Sequence, residues 1–305
     1  MVRHTITLSP SGGPGSDVQP DPPCRPFLKW AGGKQRLIAQ YARFFPPCHA
    51  FVRYIEPFLG GGSVFFHLRP SPAILGDLNE ELIDAYVAVR DNLMELEQAM
   101  SAWTWNRLDY YRARAWHPDS LSPVQRAARF IYLNRTGWNG LYRVNREGRY
   151  NVPMGRSKTN GRWLDVQRIR AASEALQSVE LVAASYQYVC EKAQTGDFIY
   201  LDPPYHGPDE QFTKYTPFGF TYADHERLAD LAVELWDRGC LVMMSNSFRP
   251  YVQQLYSERG FDVHQVVAPH GFNSNPARRQ SRAEFVAMNF TNGGKDTCAS
   301  GCSSR

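Results

Sequence analysis

The stretch "DFIYLDPPYHGPDE", from Asp197 to Glu210, decides how the fold of this chain is interpreted. It begins with β-branched and aromatic residues, which are typical of a buried strand. Two prolines then end the strand, because a proline cannot donate the hydrogen bond that a strand ladder needs. The carboxylate of Asp202 and the ring of Tyr205 are therefore predicted to lie at a rigid strand end. An acid, a flat ring and exposed backbone carbonyls at that place suit a planar ligand ring that carries an amine.

The composition sets the size of the protein and gives a first indication of its partners. A chain of 305 residues with 43% hydrophobic content can bury a substantial core, and it is long for one domain but short for three. The net charge of +4 and the isoelectric point near 8.7 only slightly favour a polyanionic partner. Residues 103–170 are more informative, because they carry many arginines interleaved with Trp and Tyr and few acids. Such a mixture favours contacts with phosphates and stacking on bases.

The cysteines and the hydropathy exclude several classes of protein. No CxxC pair occurs and no histidine stands at zinc-ligand spacing, so we expect reduced thiols and no bound metal. No apolar run of about 18 residues and no charged-then-apolar leader is present. These features predict a cytoplasmic protein that does not contact a membrane, and we expect a monomer in solution. The cysteines are Cys24, Cys48, Cys190, Cys240, Cys298 and Cys302.

Strands and helices alternate along most of the chain. This order predicts an α/β fold whose mostly parallel sheet is covered by helices on both faces. Residues 91–170 break the rhythm and are predicted to form a separate, mainly helical insertion. Residues 25–90 and 171–290 then make up the α/β domain, while residues 1–24 and 291–305, rich in Pro, Gly and Ser, are predicted to be a disordered leader and tail. The predicted strands read "YIEPF", "AILGDLN", "DFIYLDPP", "CLVMMSNS", "FDVHQVV" and "EFVAMNF".

A glycine-rich turn and a following acid indicate a nucleoside site. The segment "EPFLGGGSVFF" places Phe58, Gly60 and Gly62 where a strand passes into a helix, so a ligand can approach the backbone closely. Asp77 stands at the end of the next strand, roughly 20 residues further on, where a Rossmann-like fold has the acid that binds ribose hydroxyls. The pattern is not GxGxxG and no basic residue is placed for a pyrophosphate, so NAD is disfavoured. A tight turn without a ligand is the alternative.

The segment "FLKWAGGK", Phe27 to Lys34, combines an aromatic ring, a glycine turn and two cations. Trp30 offers a face for stacking, and Lys34 could bind a carboxylate of a ligand. The alternative is that Lys29 and Lys34 are solvated surface charges.

Taken in order, "FLKWAGGK", "EPFLGGGSVFF", "DLNEELIDAY" and "DPPY" resemble the Dam-type DNA adenine-N6 methyltransferases of the D12 class, alpha group. The segment "YLNRTGWNGLYRVNREGRYNVPMGR" resembles the DNA-recognition region of that family. The likeness covers about residues 26 to 290. It implies a Rossmann-like catalytic domain that binds S-adenosylmethionine, with an inserted, mainly helical DNA-recognition domain, and double-stranded DNA as the partner.

The resemblance also implies roles for particular residues. Those that would hold the cofactor are Trp30, Lys34, Glu56, Pro57, Phe58, Gly60, Gly62, Asp77 and Asp202. Those that would hold and activate the target adenine are Asp202, Pro203, Pro204 and Tyr205. The adenine amine is a poor nucleophile, so the Asp202 carboxylate and the Pro203 carbonyl would accept its hydrogens and increase the electron density on nitrogen. That nitrogen would attack the sulfonium methyl group directly, while Tyr205 stacks on a base that has left the duplex.

The recognition region carries the implied DNA contacts. Trp138 and Asn139 would fill the gap left by the flipped base, with tryptophan in place of the commoner tyrosine. Arg143 would bind a guanine edge, the alternative being a phosphate, and Lys29 would contact the first base of the site. The remaining residues expected at DNA are Leu141, Pro153, Arg156, Asn273, Ser274, Asn275, Arg278 and Arg279. The likeness favours GATC as the recognition sequence, and other sites that contain GAT stay open because related enzymes that read them share parts of the pattern.

Three other functions stay open at this point. A cytosine-N4 methyltransferase activates an exocyclic amine in the same way but more often has serine in place of Asp202. An RNA adenine methyltransferase typically has NPPF or NPPY. An inactive DNA-binding protein would retain the recognition region without turnover. The sequence also leaves open whether the enzyme is solitary, linked to a restriction nuclease or carried by a phage.

Overall fold

The computed structural model describes most of the chain. The described residues are 3, 5–8, 24–157, 161–204, 220–247, 249–267 and 283–292. Within them no helix is long and apolar enough to cross a membrane.

A seven-stranded sheet with the order β4-β3-β2-β5-β6-β8-β7 organises the described residues. The neighbours β4, β3, β2, β5 and β6 pair in parallel, and β8 runs antiparallel to both β6 and β7. A further pair, β1 with β9, lies outside this sheet. The strands are β1 (Ile6–Leu8), β2 (Tyr54–Glu56), β3 (Ala73–Asp77), β4 (Val179–Ala183), β5 (Phe198–Leu201), β6 (Leu241–Ser247), β7 (Asp262–Val267), β8 (Ala283–Met288) and β9 (Phe290–Asn292).

Helices cover both faces of the sheet. Successive side chains of each strand point to opposite faces, so the two faces carry separate apolar surfaces that the helices bury. Ile199 and Leu201 of β5 pack into one core with α9, whereas Phe198 and Tyr200 pack into the other with α3 and α6. The mostly parallel α/β fold predicted from the alternation of elements is confirmed. The α-helices are α1 (Ile38–Tyr41), α2 (Ser63–Leu68), α3 (Glu80–Asp91), α4 (Leu93–Ser101), α5 (Arg107–Ala115), α6 (Pro123–Thr136), α7 (Val166–Leu176), α8 (Tyr186–Glu191), α9 (Tyr222–Asp237) and α10 (Pro250–Ser257).

Residues 91–170 contain the helices α4, α5 and α6, and their buried side chains join the core that lies on the α3 side of the sheet. Helix α6 begins with a capping box, in which Ser122 and Gln125 bond each other's backbone, and a proline follows the cap. Helix α7 continues across the predicted boundary at residue 170. The division into two domains therefore stays a prediction.

The prediction of a disordered leader and tail is wrong for residues 6–8 and 291–292, which lie in strands, and most of both segments lies outside the described residues. Strand β1 pairs in parallel with β9, and Arg3 forms an ion pair with Asp237 at 2.7 Å. A local composition dominated by Pro, Gly and Ser hides such a short strand, because its hydrogen bonds come entirely from a segment distant in sequence. Strand β4 and helix α8 were likewise not predicted.

The prediction that all the thiols are reduced is wrong at Cys48, which is disulfide-bonded. Spacing rules detect local pairs of cysteines and give no information about a cysteine such as Cys48 that belongs to no local pair. Cys24, Cys190 and Cys240 are free, and burial raises the pKa of each thiol, to about 11, 12 and 11 respectively. These buried thiols are therefore protonated and unreactive at neutral pH.

Candidate active site

A cavity of about 810 Å³ opens at the carboxyl ends of the parallel strands. Three neighbouring strands each bring an acid to this edge: Glu56 ends β2, Asp77 ends β3, and Asp202 follows β5. Ligands of open α/β sheets bind at this edge. The residues predicted to hold a cofactor all line the cavity, and they are Trp30, Lys34, Glu56, Pro57, Phe58, Gly60, Gly62, Asp77 and Asp202. Pro203 and Pro204 line it as well.

Lys34 binds Asp202 directly. Its Nζ lies 2.6 Å from Oδ1 and 2.7 Å from Oδ2 of the carboxylate, and it also donates to the Gly32 carbonyl at 3.0 Å. The lysine side chain is 2% exposed and that of Asp202 is 16% exposed. A buried charge needs such a partner, because an isolated one would lose its hydration without compensation. In this structure Lys34 thus neutralises the acid of the DPPY motif rather than reaching outward for a ligand.

Hydroxyl groups on the neighbouring strands hold Asp202 from its other side. Ser245 on β6 donates to Oδ1 at 3.1 Å, and Tyr200 shares a 2.7 Å hydrogen bond with Ser245. Burial raises the pKa of Asp202 to about 6, and Lys34 opposes that rise. The carboxyl group is consequently ionised and fixed in orientation above this pH, so it can accept hydrogen bonds from a ligand.

Glu56 lies at the same edge but in a different protonation state. Burial raises its pKa to about 8, although Tyr54 donates to Oε2 at 2.9 Å. At neutral pH the carboxyl group is therefore largely protonated and can itself donate a hydrogen bond. Two acids on adjacent strands thus have opposite hydrogen-bonding capacity.

The glycine turn and Asp77 fix each other. The Gly60 amide donates to Asp77 Oδ2 and the Asn79 amide donates to Oδ1, both at 3.0 Å. Gly60 has φ +48°, and a Cβ atom built there would lie 2.6 Å from the ring of Trp30. A side chain at this position would therefore clash, which explains the glycine. Burial raises the pKa of Asp77, and its remaining lone pairs can accept hydroxyl hydrogens.

Aromatic rings form two walls of the cavity. Trp30 stacks on Tyr142 with centroids 6.2 Å apart and 20° between the planes. On the other side Phe58 stacks on Tyr186 at 5.1 Å and 28°, with Phe220 edge-on at 6.2 Å. The faces of these rings suit a flat heterocycle.

Several lining residues had not been predicted. Tyr186 opens helix α8, so it was missed together with strand β4 that precedes it. Glu284 lies on β8 and accepts a 2.6 Å hydrogen bond from Tyr41, which is far from it in sequence. Tyr142 lies beside the more conspicuous Arg143. An alternating side-chain pattern in "GLYRVN" was the only signal that could have separated these two neighbours.

Residues 137–156 form a hairpin, called here the recognition hairpin. Gly137 pairs antiparallel with Met154, and Val144 pairs with Tyr150. At the tip the Asn145 side chain accepts from the backbone of residues 147 and 149, which builds the turn from within.

The hairpin presents most of its predicted DNA-binding residues to solvent. Trp138 is 46% exposed, and Asn139 follows it with φ +53°, a left-handed conformation that asparagine tolerates. Arg143, Pro153 and Arg156 are exposed, whereas Leu141 is half-buried. The Nε atom of Arg143 donates to the Asn151 side chain at 2.6 Å.

Lys29 lies at the base of the recognition hairpin. Asn134 joins the two, because its amide group bonds the backbone of Lys29 at 2.7 and 2.8 Å and the carbonyl of Gly140 at 3.1 Å. The Lys29 ammonium donates to the Arg135 carbonyl at 2.8 Å and lies 5.7 Å from the ring of Trp105. The structure thus brings Lys29 and the recognition hairpin together, as their predicted common role requires.

Some predicted site residues lie outside the described part of the chain. They are Tyr205, Asn273, Ser274, Asn275, Arg278 and Arg279. Among the described residues, no group of three or more His, Cys, Asp or Glu side chains is arranged to bind a metal ion.

The chain is similar to DNA adenine methyltransferases over most of its length. Residues 30–269 match the D12 class N6 adenine-specific DNA methyltransferase family. A type II methyltransferase of Lactococcus lactis subsp. cremoris is 38% identical over 88% of this chain and 96% of its own. A type II methyltransferase of Methanocaldococcus jannaschii is 34% identical over 87% and 99%. The DNA adenine methylase of Escherichia coli K12 is 33% identical over 87% and 95%.

The fold and the family together define a Rossmann-like methyltransferase, a class that implies S-adenosylmethionine as the methyl donor. The chain belongs to the D12 class N6 adenine-specific DNA methyltransferase family, and its activity is the methylation of adenine N6 in DNA. The family predicted from the motifs is confirmed.

Proposed function

We propose that the protein transfers a methyl group from S-adenosylmethionine directly to N6 of an adenine that has been flipped out of double-stranded DNA, within the sequence GATC. One observation carries the chemistry: the Asp202 carboxylate lines a cavity of about 810 Å³ and is oriented there by Lys34 and Ser245. Its pKa of about 6 leaves it ionised at neutral pH. The enzyme acts in the cytoplasm, as a monomer, on the DNA of the nucleoid.

The cavity residues suit S-adenosylmethionine. Asp77 would accept the ribose hydroxyls, since two backbone amides already orient its carboxylate. Phe58 and its stacked partner Tyr186 would hold the adenine ring of the cofactor. Glu56, protonated at neutral pH, would donate a hydrogen bond inside the cavity. When bound, this cofactor supplies an electrophilic methyl group on a sulfonium.

Asp202 and Pro203 would activate the target amine. The lone pair of N6 is delocalised into the adenine ring, which makes the amine a weak nucleophile. If the Asp202 carboxylate and the Pro203 carbonyl each accept a hydrogen bond from one N–H, electron density returns to the nitrogen, which can then attack in line. The N–CH3 bond would form as the S–CH3 bond breaks, and the surplus proton on N6 would be released to solvent. The proline run limits movement of both acceptors, and a misplacement of about 1 Å can cost roughly 100-fold in rate.

The recognition hairpin would supply the DNA contacts. A base can reach Asp202 only after it leaves the stack, so a group must occupy the space it vacates. Trp138 suits this role, because its side chain is exposed on a turn that continues through the left-handed Asn139. Arg143 would bind a guanine edge, and Arg156 would contact the backbone of the duplex.

Methyl transfer to defined oligonucleotides tests the proposal. With radiolabelled S-adenosylmethionine and a GATC duplex, we expect N6-methyladenine as the product nucleoside and slower transfer to every single-base variant of the site. N4-methylcytosine as the product, or transfer to RNA alone, would contradict the assignment of the substrate. Equal rates on all sequences would contradict GATC only.

Ligand-dependent stability tests the cofactor separately. S-adenosylhomocysteine at 100 times its dissociation constant should raise the free energy of unfolding by about 2.7 kcal/mol, and added chelator should not alter this. A thermal shift with NADH and none with S-adenosylhomocysteine would overturn the cofactor assignment.

A further inference from the structure

Tyr142 lies where the recognition hairpin meets the cavity. The half-buried Tyr142 and the exposed Val144 both line the cavity, whereas Arg143 between them does not line it and is held by Asn151. Successive side chains of an extended segment point to opposite sides, so one arm of the hairpin presents one face to the cofactor site and the other to solvent. The residue proposed to bind a base and a residue that lines the cofactor cavity are therefore direct neighbours.

A hydrogen bond joins Tyr142 to the helix that follows Asp77, the acid proposed to bind the ribose. The Tyr142 hydroxyl donates to Glu81 Oε1 at 3.0 Å. Glu81 lies in the first turn of α3, which begins a few residues after Asp77. The other oxygen of Glu81 lies 3.4 Å from Nη1 of Arg129, whose side chain is 2% exposed and whose Nε donates to the Ala113 carbonyl at 2.8 Å. The acceptor of the tyrosine bond is therefore itself fixed by helix α6.

The ring of Tyr142 makes a second connection. It stacks on Trp30, and Trp30 in turn occupies the space above the Gly60 turn. Phe130 of α6 supports both rings, with centroids 5.5 Å from Tyr142 and 6.4 Å from Trp30. Any displacement of this hairpin arm thus moves a group that contacts the wall of the cofactor cavity.

We propose that Tyr142 is a positioning residue that couples the binding of DNA to the binding of the cofactor, an inference that rests on the proposed function. DNA bound at Arg143 immobilises the hairpin arm that carries Tyr142. A cofactor bound against Trp30 and Asp77 immobilises the ring on which Tyr142 stacks and the start of α3, which carries Glu81. Both ligands therefore order the same Tyr142–Glu81 contact. The second ligand to bind then finds this contact already ordered and loses less conformational entropy. The effect is reciprocal, so each ligand raises the affinity for the other by the same factor.

The experiment compares dissociation constants in a thermodynamic cycle. Calorimetry gives the dissociation constant of S-adenosylhomocysteine, which does not react, for the enzyme alone and for its complex with an unmethylated GATC duplex. We expect the duplex to tighten binding by about fivefold or more in the wild type. Tyr142→Phe retains the ring but removes the hydroxyl, and we expect it to bring that factor to within about twofold of one.

Two matched variants separate coupling from a general loosening of the hairpin. Tyr150 is a buried tyrosine of the same hairpin, its hydroxyl donates to the Leu141 carbonyl at 2.9 Å, and it does not line the cavity. Tyr150→Phe should therefore keep the wild-type factor. Glu81→Ala should lose the coupling, whereas Glu81→Gln should retain it, because the amide oxygen still accepts from Tyr142.

Three results would overturn the proposal: a wild-type factor of one, an unchanged factor in Tyr142→Phe, or an equal loss in Tyr150→Phe. Failure of the proposed function is recognised independently, because the wild type would then not methylate the GATC duplex at all. A wild type that methylates GATC and still shows no coupling would contradict the inference about Tyr142 alone.

Discussion

The charged side chains of the sheet edge and those of the recognition hairpin differ in burial and in their partners. At the sheet edge Asp202 and Lys34 are buried together, and each is within 2.7 Å of the other. On the hairpin Arg143 is exposed, and its side chain donates a hydrogen bond to the neutral side chain of Asn151. A buried charge needs a partner inside the protein, whereas an exposed charge is solvated by water and stays available to bind a phosphate or a base. Under the proposed function, the fold therefore orders the catalytic groups before any ligand binds, whereas the charge of the hairpin gains its partner only from the DNA.

Substitution of Asp202 should have the largest effect. Asp202→Ala removes the proposed acceptor of the amine hydrogen, and we expect kcat to fall about 10³-fold on every DNA sequence, since loss of one preorganised contact at a reacting group costs roughly 10²- to 10³-fold. Asp202→Asn should retain more activity, because its amide oxygen still accepts one hydrogen bond. Single-turnover methylation of a GATC duplex measures both.

Asp197→Asn is the matched control for this substitution. Asp197 begins the same strand segment at its other end, where its buried side chain forms an ion pair at 2.6 Å with the partly exposed Arg53. Removal of one partner of either pair leaves a cation without compensation, so both Asp202→Ala and Asp197→Asn should lower the free energy of unfolding, by up to about 3–5 kcal/mol. Only the change at Asp202 should reduce kcat in the folded enzyme. Comparable loss of kcat at both positions would mean that Asp202 acts through stability.

Substitution of Arg143 tests the other half of the comparison. If Arg143 binds a guanine edge, Arg143→Ala should cost about 1–3 kcal/mol of discrimination at one base pair and leave kcat on the cognate duplex much less affected. Methylation rates on GATC and its single-base variants measure this. A phosphate contact gives a different result: binding weakens equally on all sequences, and the slope of affinity against salt falls by about one. That outcome would remove Arg143 from base recognition.

The sequence allowed the strand ends to be predicted but not their pairing. Glu56, Asp77 and Asp202 each follow a β-branched strand and precede a turn, so purely local patterns place them at the sheet edge. The bond between Lys34 and Asp202 joins residues separated by 168 positions, and no local pattern reports such a contact. The prediction for Lys34 therefore named the right cavity but not its contact with Asp202, and its role toward a cofactor stays a prediction.

Tyr142 and Ile6 show two other limits of sequence patterns. Neither its residue type nor a charge distinguishes Tyr142 from its neighbours. The orientation of its side chain depends on which face of the hairpin lies against the cavity. Ile6 belongs to a strand that exists only because β9 lies beside it, so the surrounding prolines and glycines predicted disorder instead. Local propensity is overridden wherever a distant segment supplies the hydrogen bonds.

The pH dependence should distinguish the two regions. Because burial raises the pKa of Asp202 to about 6, protonation of the folded enzyme removes the acceptor, and kcat/KM should fall about tenfold per unit below that pH. Arginine stays charged throughout this range, so discrimination between GATC and its variants should not change.

Protonation of Asp202 should not lower the free energy of unfolding, in contrast to protonation of a carboxylate whose pKa is depressed in the folded state. The pKa of Asp202 is higher in the folded protein than in the unfolded chain, so the folded state binds the proton first and is not weakened by it as the pH falls from 6 to 4. Circular dichroism should therefore show a folded enzyme where the rate has already declined. The low-pH limb should disappear in Asp202→Asn, and its persistence there would assign it to another group.

Substitution of Asn151 should have the smallest effect. Its side chain accepts from Nε of Arg143 at 2.6 Å, which holds the guanidinium before DNA arrives. Asn151→Ala would release that side chain, and immobilising it again on binding costs about 0.5–1.5 kcal/mol. We expect roughly a two- to tenfold loss of discrimination at the base pair that Arg143 contacts and at no other. In an Arg143→Ala background the second substitution should add nothing, because Asn151 acts through the arginine. Equal effects in the two backgrounds would show that Asn151 contacts the DNA itself, and the exposed hairpin would then be less preorganised than the sheet edge.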